Sequence, residues 1–547
     1  MAGHCGADDS LTDNRYSADV HHSLIKATVV HYTMEETPKL RTALNDFIFG
    51  MGSNEEIACF KRLQQNFAPQ FEAVFPHDHA EKTVVVVPSL TLDQEIFSKI
   101  KGHIFYEERM LCLMLLLRMP KTHLVFVTSV PVDPIIIDYY LHFLPGVTSY
   151  HAKQRLTLLS CYDASRRSLT QKILDRPRLI ERIRKSIPAS HMAHLACFNV
   201  THYERSLAVK LGMPIYGCDP DLNYLGTKSR SRELFRDCGI NVPQGFENLR
   251  DEQDIIESLV ELKLRDPDLM KAVVKIDDGF SGEGNAIFSY QQSPVSGSLK
   301  SWIKSSIHTL RCVADDLRYE QYMAKFAEMR GIVEEFIDAP IKTSPSVQCR
   351  INPLGRVDVL STHDQALGGE SGQVFLGARF PAADYYNKEI GVMGKTIAER
   401  LRDMGVLGRF SIDFLSVKQA ETWKHYAIEI NLRKGGTTHP YLMLQFLTDG
   451  EYDAEQGRYN MPNGQTRVYY ATDNLKSERY RGLTPHDLIE IAICNGLHYD
   501  SASQEGVMFH LIGALSQYGK LGVVCIGKDH MSVDRIYNRT VRVLDSV

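Results

Sequence analysis

The chain has no apolar run long enough to cross a membrane as a helix. Its most apolar stretch, Met110 to Leu117, is eight residues set between Arg109 and Arg118, whereas a spanning helix needs about 20. That stretch reads as a core helix, and the chain as soluble. No C-x-x-C pair occurs among the eleven cysteines, and an odd number resists complete internal pairing. A disulfide framework is therefore not expected; free, mostly buried thiols in a reducing cytosol are. The polar stretch from Met1 to Asp19 has no basic start followed by an apolar segment, so no signal peptide is expected and the assignment is cytoplasmic. Charge of either sign is not in excess: 24% of residues are charged and the formal net charge is -5. A broadly basic nucleic-acid-binding surface is excluded on that balance, and no run of like charge marks a solvated tail. There is no internal repeat. The P-loop pattern G-x-x-x-x-G-K-[ST] is absent, as is the dinucleotide pattern G-x-G-x-x-G. The nearest approach, Gly394-Lys395-Thr396, has Glu389 where the first glycine belongs and reads as ordinary helix.

What is present is enough apolar material, 44% of 547 residues, for a large core. As a prior that length means roughly three or four domains or one composite unit. Residues 1–50 show little periodicity before Leu24–Tyr32 and are expected to form an extension, disordered in part. From Thr83, strand-like runs alternate with helical segments. Thr83–Val87, Leu124–Thr128, Leu156–Leu159 and the weaker Ala193–Val200 suit strands buried on both faces. Thr201-His202-Tyr203-Glu204 is a capping box opening a helix that Gly212 and Pro214 stop. Such alternation predicts an open, mostly parallel α/β sheet over residues 51–225. After Pro243 the texture changes. Val273–Ile276 and Ile332–Ile337 are short strands. Ser346–Ile351 and Val357–Ser361 flank Asn352-Pro353-Leu354-Gly355, a turn signal. Phe410–Leu415 and Tyr426–Asn431 form a second expected hairpin, so this part is α+β. A last α+β piece, with runs at Val507–Leu515 and Leu521–Ile526, opens at the helix start Thr484-Pro485.

The residues suited to chemistry lie mainly in the hairpins. Strand residues two apart share a face, so Glu429 and Asn431 point the same way. Antiparallel pairing of Phe410–Leu415 with Tyr426–Asn431 would bring Asp413 to them. Two carboxylates and an amide oxygen on strands suit Mg²⁺, a hard ion that takes oxygen ligands; the bland alternative is an exposed acidic hairpin face. Arg433 follows, with a planar fork suited to phosphoryl oxygens. Lys275 sits near the end of a strand, before a loop with Gly279, Ser281, Gly282 and Gly284. Small residues there let backbone amides approach a phosphate, although a plain flexible turn has the same composition. Lys228 precedes the helical stretch Arg230–Asp237. Glu334 and Glu335 are consecutive in an apolar strand, so they face opposite sides.

Taken in order, a lysine before a helix, a strand lysine with a Gly-rich loop, the strand Val333-Glu334-Glu335-Phe336-Ile337, an aspartate, and Glu429-Ile430-Asn431 resemble the ATP-grasp superfamily. More closely, the chain resembles the peptide ligases of the pheganomycin ligase family, pre-ATP-grasp domain included. The resemblance runs from Asn54 to Leu544, through segments such as Ser168–Ile187, Ser361–Gly372 and Glu429–Pro440, and the first 50 residues have no counterpart in it. It implies a Rossmann-like pre-ATP-grasp α/β domain over 51–225, an ATP-grasp region over 226–450 and a C-terminal α+β lobe over 451–547. It also implies roles. Lys228 and Lys275 would grip the ATP phosphates under the loop Gly279–Asn285. Glu334, with the backbone of Glu335, Phe336 and Ile337, would read the adenine edge. Asp413, Glu429 and Asn431 would hold Mg²⁺, with Mn²⁺ as an alternative. Arg433 would steady the transferred phosphoryl group. The loop with His363, Gln365, Gly368 and Gly369 would approach the substrate.

The implied activity is ATP-dependent joining of a carboxylate to an amine through an acyl phosphate, releasing ADP and phosphate. The partners would be small-molecule or peptide acids and amines, with no nucleic acid and no membrane; a homodimer is left open. His363 and His439 are both candidates for the base that takes the amine proton, and the helix start Thr437–Pro440 could hold a substrate anion. Two alternatives stand beside this expectation: a non-catalytic nucleotide-binding protein of the same fold, and a ligase for a non-peptide acid or amine.

Overall fold

The computed structural model describes residues 49–75, 77, 79–91, 100–278, 284–294, 298–313, 317–368 and 374–546. All but the last two residues of the expected N-terminal extension lie outside them. Lys82–Val87 (β1), Thr122–Thr128 (β2), Leu156–Ser160 (β3) and Ala193–Cys197 (β4) form the first sheet, wholly parallel and ordered β3-β2-β1-β4. Every residue of β1 is buried, which is why it reads as an unbroken valine run rather than an alternation. The order reverses beside β1, so the carboxyl ends of β1 and β4 form the kind of crevice where open α/β sheets take ligands. The helix after β4 begins at the Thr201 capping box and ends on Gly212 with φ of 67°.

The apolar run lies in a helix, His103–Arg118, wound as 3₁₀ rather than α; runs of this length are uncommon in that winding. Met110, Leu111, Met114 and Leu117 enter a core shared with strands near the C-terminus. The helix also buries two carboxyls. Glu107 accepts hydrogen bonds from the Ser129 backbone N (2.7 Å) and hydroxyl (2.6 Å), and Glu108 accepts one from Gly513 N (3.1 Å). Burial pushes these carboxyls up, to about 7 and about 8 respectively.

Gly245–Leu249 (β5), Lys271–Ile276 (β6), Asn285–Ser289 (β7), Arg311–Cys312 (β8) and Gly331–Glu335 (β9) make an antiparallel sheet ordered β5-β9-β6-β7-β8. The helix Glu252–Arg265 lays Ile255, Ile256, Leu259 and Leu262 on its core. Gly331 is required by contact: a Cβ there would lie 2.2 Å from the Lys275 carbonyl oxygen.

The third sheet is antiparallel. Lys342–Thr343 (β10), Pro345–Ile351 (β11), Val357–Gly368 (β12), Val374–Phe380 (β13), Gly408–Gln419 (β14) and Thr422–Asn431 (β15) build one side of it. Both expected hairpins form, and the first turns through Gly355 at φ of 76° with Gly355 N bonded to Asn352 O (2.9 Å). A separate small hairpin, Glu451–Asp453 (β16) with Arg458–Asn460 (β17), follows. Val468–Lys476 (β18), Gly506–His510 (β19) and Lys520–Gly527 (β20) then extend the large sheet, giving β10-β14-β11-β12-β13-β18-β20-β19 with β15 on β14. The C-terminal strands thus make no sheet of their own: Ala378 of β13 pairs with Ala471 of β18.

Glu108 gives the fold a pH signature. Its carboxyl is raised in the folded state relative to about 4.3 in the unfolded chain, so the folded state holds a proton that the unfolded chain has lost. That contribution to stability is fully present below about pH 4 and is lost as pH rises through about 8. Glu108→Gln, which keeps the shape without the charge, should gain on the wild type by at least about 1 kcal/mol between pH 5.5 and pH 8.5. Urea midpoints at the two pH values measure it; an unchanged difference would mean that Glu108 is not buried as described.

Candidate functional site

The register of β14 and β15 sets Asp413 opposite Glu429 and Ser411 opposite Asn431, with an irregularity just after Asp413. Asn431 Nδ2 donates to Asp413 Oδ2 (3.0 Å) and Gln365 Nε2 donates to Asp413 Oδ1 (2.9 Å). Arg433 donates to Asn431 Oδ1 (3.0 Å). Burial first, and the Glu429 charge second, push the Asp413 carboxyl up to about 7. Two carboxylates and two side-chain amides therefore meet beside Arg433 and Lys228, the amides turning their N–H groups to Asp413. The carboxylates, with the Asn431 amide turned to present its oxygen, would supply hard ligands of the kind Mg²⁺ takes.

The two lysines arrive from different elements. Lys228 is the first residue of the helix Lys228–Asp237. The start of that helix is tied to the end of β6, with Lys228 N bonded to Asp277 O (3.2 Å) and Ser229 N to Asp277 Oδ1 (2.7 Å). Lys228 Nζ lies 3.3 Å from Glu429 Oε1. Lys275, on β6, pairs with Glu334 of β9. The other oxygen of Glu334 takes Arg232 (2.6 Å), which also bonds Glu247 (2.6 Å) and Pro243 O (2.7 Å). Glu334, expected at the adenine edge, lines the cavity with its two oxygens paired to Lys275 and Arg232 and is 3% exposed. Glu335, Phe336 and Ile337 line the cavity beside it.

That cavity holds about 600 Å³. Lys228, Lys275, Gly284, Asp413, Glu429 and Arg433 all face it, and Asn431 and Gln365 complete its acidic end. The remaining expected residues fare differently. Gly279, Ser281, Gly282 and Gly369 lie outside the described residues. Gly368 ends β12 against the side chain of Leu376. His363 does not reach the cavity: it is fully buried, bonded to Tyr469 Oη (2.6 Å), and burial lowers it to about 3. His439 sits behind the cavity wall, lowered to about 4 by burial and by His510. Neither imidazole is placed to take a proton from an amine in the cavity.

The far end of the cavity holds residues that sequence reading passed over. Leu90, Arg109 and Phe198 come from the crevice at the ends of β1 and β4, and Asp473 and Asn474 come from β18. Lys434 N bonds Phe198 O (3.1 Å), joining the chain after β15 to the end of β4. The available signals were a charge, Asp473, in an otherwise largely apolar strand, and Arg109 at the head of the apolar run.

Comparisons with known proteins accord with this geometry. A model of IQCH-like ATP-grasp domains matches residues 220–305 and 290–455, and a model of the PGM1 C-terminal domain matches residues 487–540. The chain is 30% identical over 446 residues to L-propargylglycine–L-glutamate ligase of Streptantibioticus cattleyicolor, covering 80% of this chain and 88% of that one. It is 22% identical over 517 residues to IQ motif-containing protein H of Danio rerio, across 85% of this chain and 48% of that protein. In fold it is similar to the biotin carboxylase–β,γ-ATP complex of Campylobacter jejuni, with a TM-score of 0.51 at 12% identity over 85% of this chain and 94% of that one.

The Lys275–Glu334–Arg232 arrangement makes a stability prediction. Removing one member of a buried ion cluster leaves its partners uncompensated. Glu334→Gln should therefore cost about 3 kcal/mol, read as a lowered urea or thermal midpoint. A variant as stable as the wild type would mean that the two cations do not depend on this carboxylate.

Proposed function

The chain belongs to the ATP-grasp ligases, the family of L-propargylglycine–L-glutamate ligase, and from that membership we propose how its residues join a carboxylate to an amine. A carboxylate does not acylate an amine in neutral water, because its oxygen is too poor a leaving group. Transfer of the ATP γ-phosphoryl group to it gives an acyl phosphate, from which phosphate leaves readily. Such a transfer is chiefly positioning and charge neutralisation.

In this reading Lys228 and Lys275 exchange their carboxylate partners for ATP phosphates, while Arg232 continues to compensate Glu334. The backbone of Glu335, Phe336 and Ile337 takes the adenine edge. Asp413, Glu429 and Asn431 hold Mg²⁺, or Mn²⁺ as an alternative, and the ion supplies neutralisation of phosphate charge. Arg433 steadies the acyl-phosphate oxygens with a planar fork. The amine then attacks the acyl carbon, phosphate departs, and an amide remains. Amino acids are the substrate class we favour, since two are joined by the relative's name. The described cysteines are free thiols, which supports a reducing, cytosolic setting; no helix among the described residues is long and apolar enough to cross a membrane.

The observation that carries this reading is the meeting of Asp413 and Glu429 across one strand pair, with Lys228 and Arg433 beside them in one cavity. Incubating the protein with ATP–Mg²⁺ and pairs drawn from the amino acids should release ADP and phosphate, with a product one water lighter than the pair. AMP and pyrophosphate instead would overturn the acyl-phosphate course. Glu429→Ala removes a metal ligand and no core volume. It should lower amide formation about a thousandfold in a protein that still folds, as a cooperative thermal transition would show. Turnover near that of the wild type would sink the metal assignment.

A further inference from the structure

One charged group in the cavity has no part in the reaction as set out above. Arg109 lines the cavity together with Leu90 and Phe198, residues near the carboxyl ends of β1 and β4. Its side chain is 11% exposed. The guanidinium carbon is 4.0 Å from the ring centre of Tyr106 and 6.0 Å from that of Phe198, so two aromatic faces restrain it. Its hydrogen bonds go to Asp473 among the described residues, and its buried Nε has no partner.

Asp473 is built to hold an arginine in place. Its Oδ2 takes Arg109, while its Oδ1 lies 2.6 Å from His510 Nε2 and 3.2 Å from His439 Nε2. The two imidazole nitrogens are themselves 3.0 Å apart. Both rings donating Nε2–H to the one oxygen accounts for all three distances, and it leaves each Nδ1 as an unpaired acceptor, as found. Asp473 engages only part of the Arg109 fork, which leaves unused donor capacity on the arginine side. A planar fork with spare N–H groups, oriented in advance in a cavity, suits a carboxylate.

Resting on the ligase reading above, we infer that Arg109 receives a substrate carboxylate that is not phosphorylated, and that Asp473, His439 and His510 are positioning residues that aim it. Amino-acid substrates supply such a group from either side of the reaction. It is the α-carboxylate of the amine substrate, left free when its amine is acylated, or the second carboxylate of a dicarboxylic acid substrate. The chemistry recognised is the same.

The test uses the full chain, with ATP–Mg²⁺ throughout. With hydroxylamine in place of the amine, activated acids are trapped as hydroxamates, and glutamate and aspartate are compared with glutamine and asparagine. With a productive acid found, amino acids are compared with their carboxamides as amines. On one of the two sides the wild type should prefer the carboxylate over the carboxamide by about 10- to 100-fold in kcat/KM. Arg109→Gln should reduce that preference to about onefold, read as the ratio of the carboxylate to the carboxamide kcat/KM within the variant. The side on which this occurs identifies the source. His510→Asn should raise KM for the same substrate about tenfold at nearly constant kcat, the amount expected for a loosened charged hydrogen bond. No preference in the wild type on either side overturns the inference without reference to any variant. Equal losses of carboxylate and carboxamide substrates in Arg109→Gln also overturn it, since they mark a purely structural role. If the wild type forms neither hydroxamate nor amide from any pair, the ligase reading falls and takes this inference with it. Hydroxamate formed normally, but with no carboxylate preference on either side, sinks the inference alone.

Discussion

Two carboxylates that face each other across a strand pair inside a protein cannot both remain charged without a cation at hand. That constraint governs the centre of this molecule. Asp413 and Glu429 are set opposite by a hairpin register that the sequence of β14 and β15 leaves little freedom to change. A one-residue slip would send every side chain of one strand to the other face, exposing Ile412, Phe414 and Ile430, which are now buried. Hydrophobic packing thus enforces an electrostatic problem. Lys228, Arg433 and the fit for a divalent ion are its solution. The way the helix that begins at Lys228 is fastened to Asp277 follows from the need to deliver a lysine to that place.

The same logic explains why each lysine is already paired. Lys228 leans on Glu429 and Lys275 on Glu334. A bare ammonium group in a cavity wall would be costly, whereas one lent to a carboxylate is not. In the proposed reading phosphate would displace the carboxylate without stranding it, because Glu334 would keep Arg232 and Glu429 would gain the metal ion. Arg232, buried against Glu334, would thereby belong to the nucleotide site.

What could be read from sequence follows the range over which each interaction acts. The valine run of β1, the capping box at Thr201, the turn at Gly355 and the meeting of Asp413 with Glu429 and Asn431 are all encoded within about 20 residues, and all were legible. His363 and Gln365 read as part of a loop, whereas they continue β12, and their side chains have different destinations. Gln365 ends on Asp413, whereas His363 is drawn into the core by Tyr469 of β18, a strand some hundred residues later. Arg109, Asp473 and His510 meet only because β18 pairs with β13 and β20 with both β18 and β19. No periodicity within one strand states which strand will lie beside it. The contacts of Glu334 and of the two histidines were out of reach for that same reason: each depends on a distant partner.

This division of range has a functional consequence. The part of the cavity proposed to take nucleotide and metal is made by hairpins and by a helix start fastened to a neighbouring strand. The opposite end is composite: Arg109 comes from the helix before β2, Phe198 from the end of β4, and Asp473 and His510 from strands near the C-terminus. Substitutions there would change the lining of the cavity while leaving the Asp413–Gln365–Asn431–Arg433 hydrogen bonds in place, since the two groups share no hydrogen bond among those described. A fold built in this way can keep one reaction and change its substrates. The substrate end is also where local sequence is least informative, because a site assembled from four distant segments leaves no motif in any one of them.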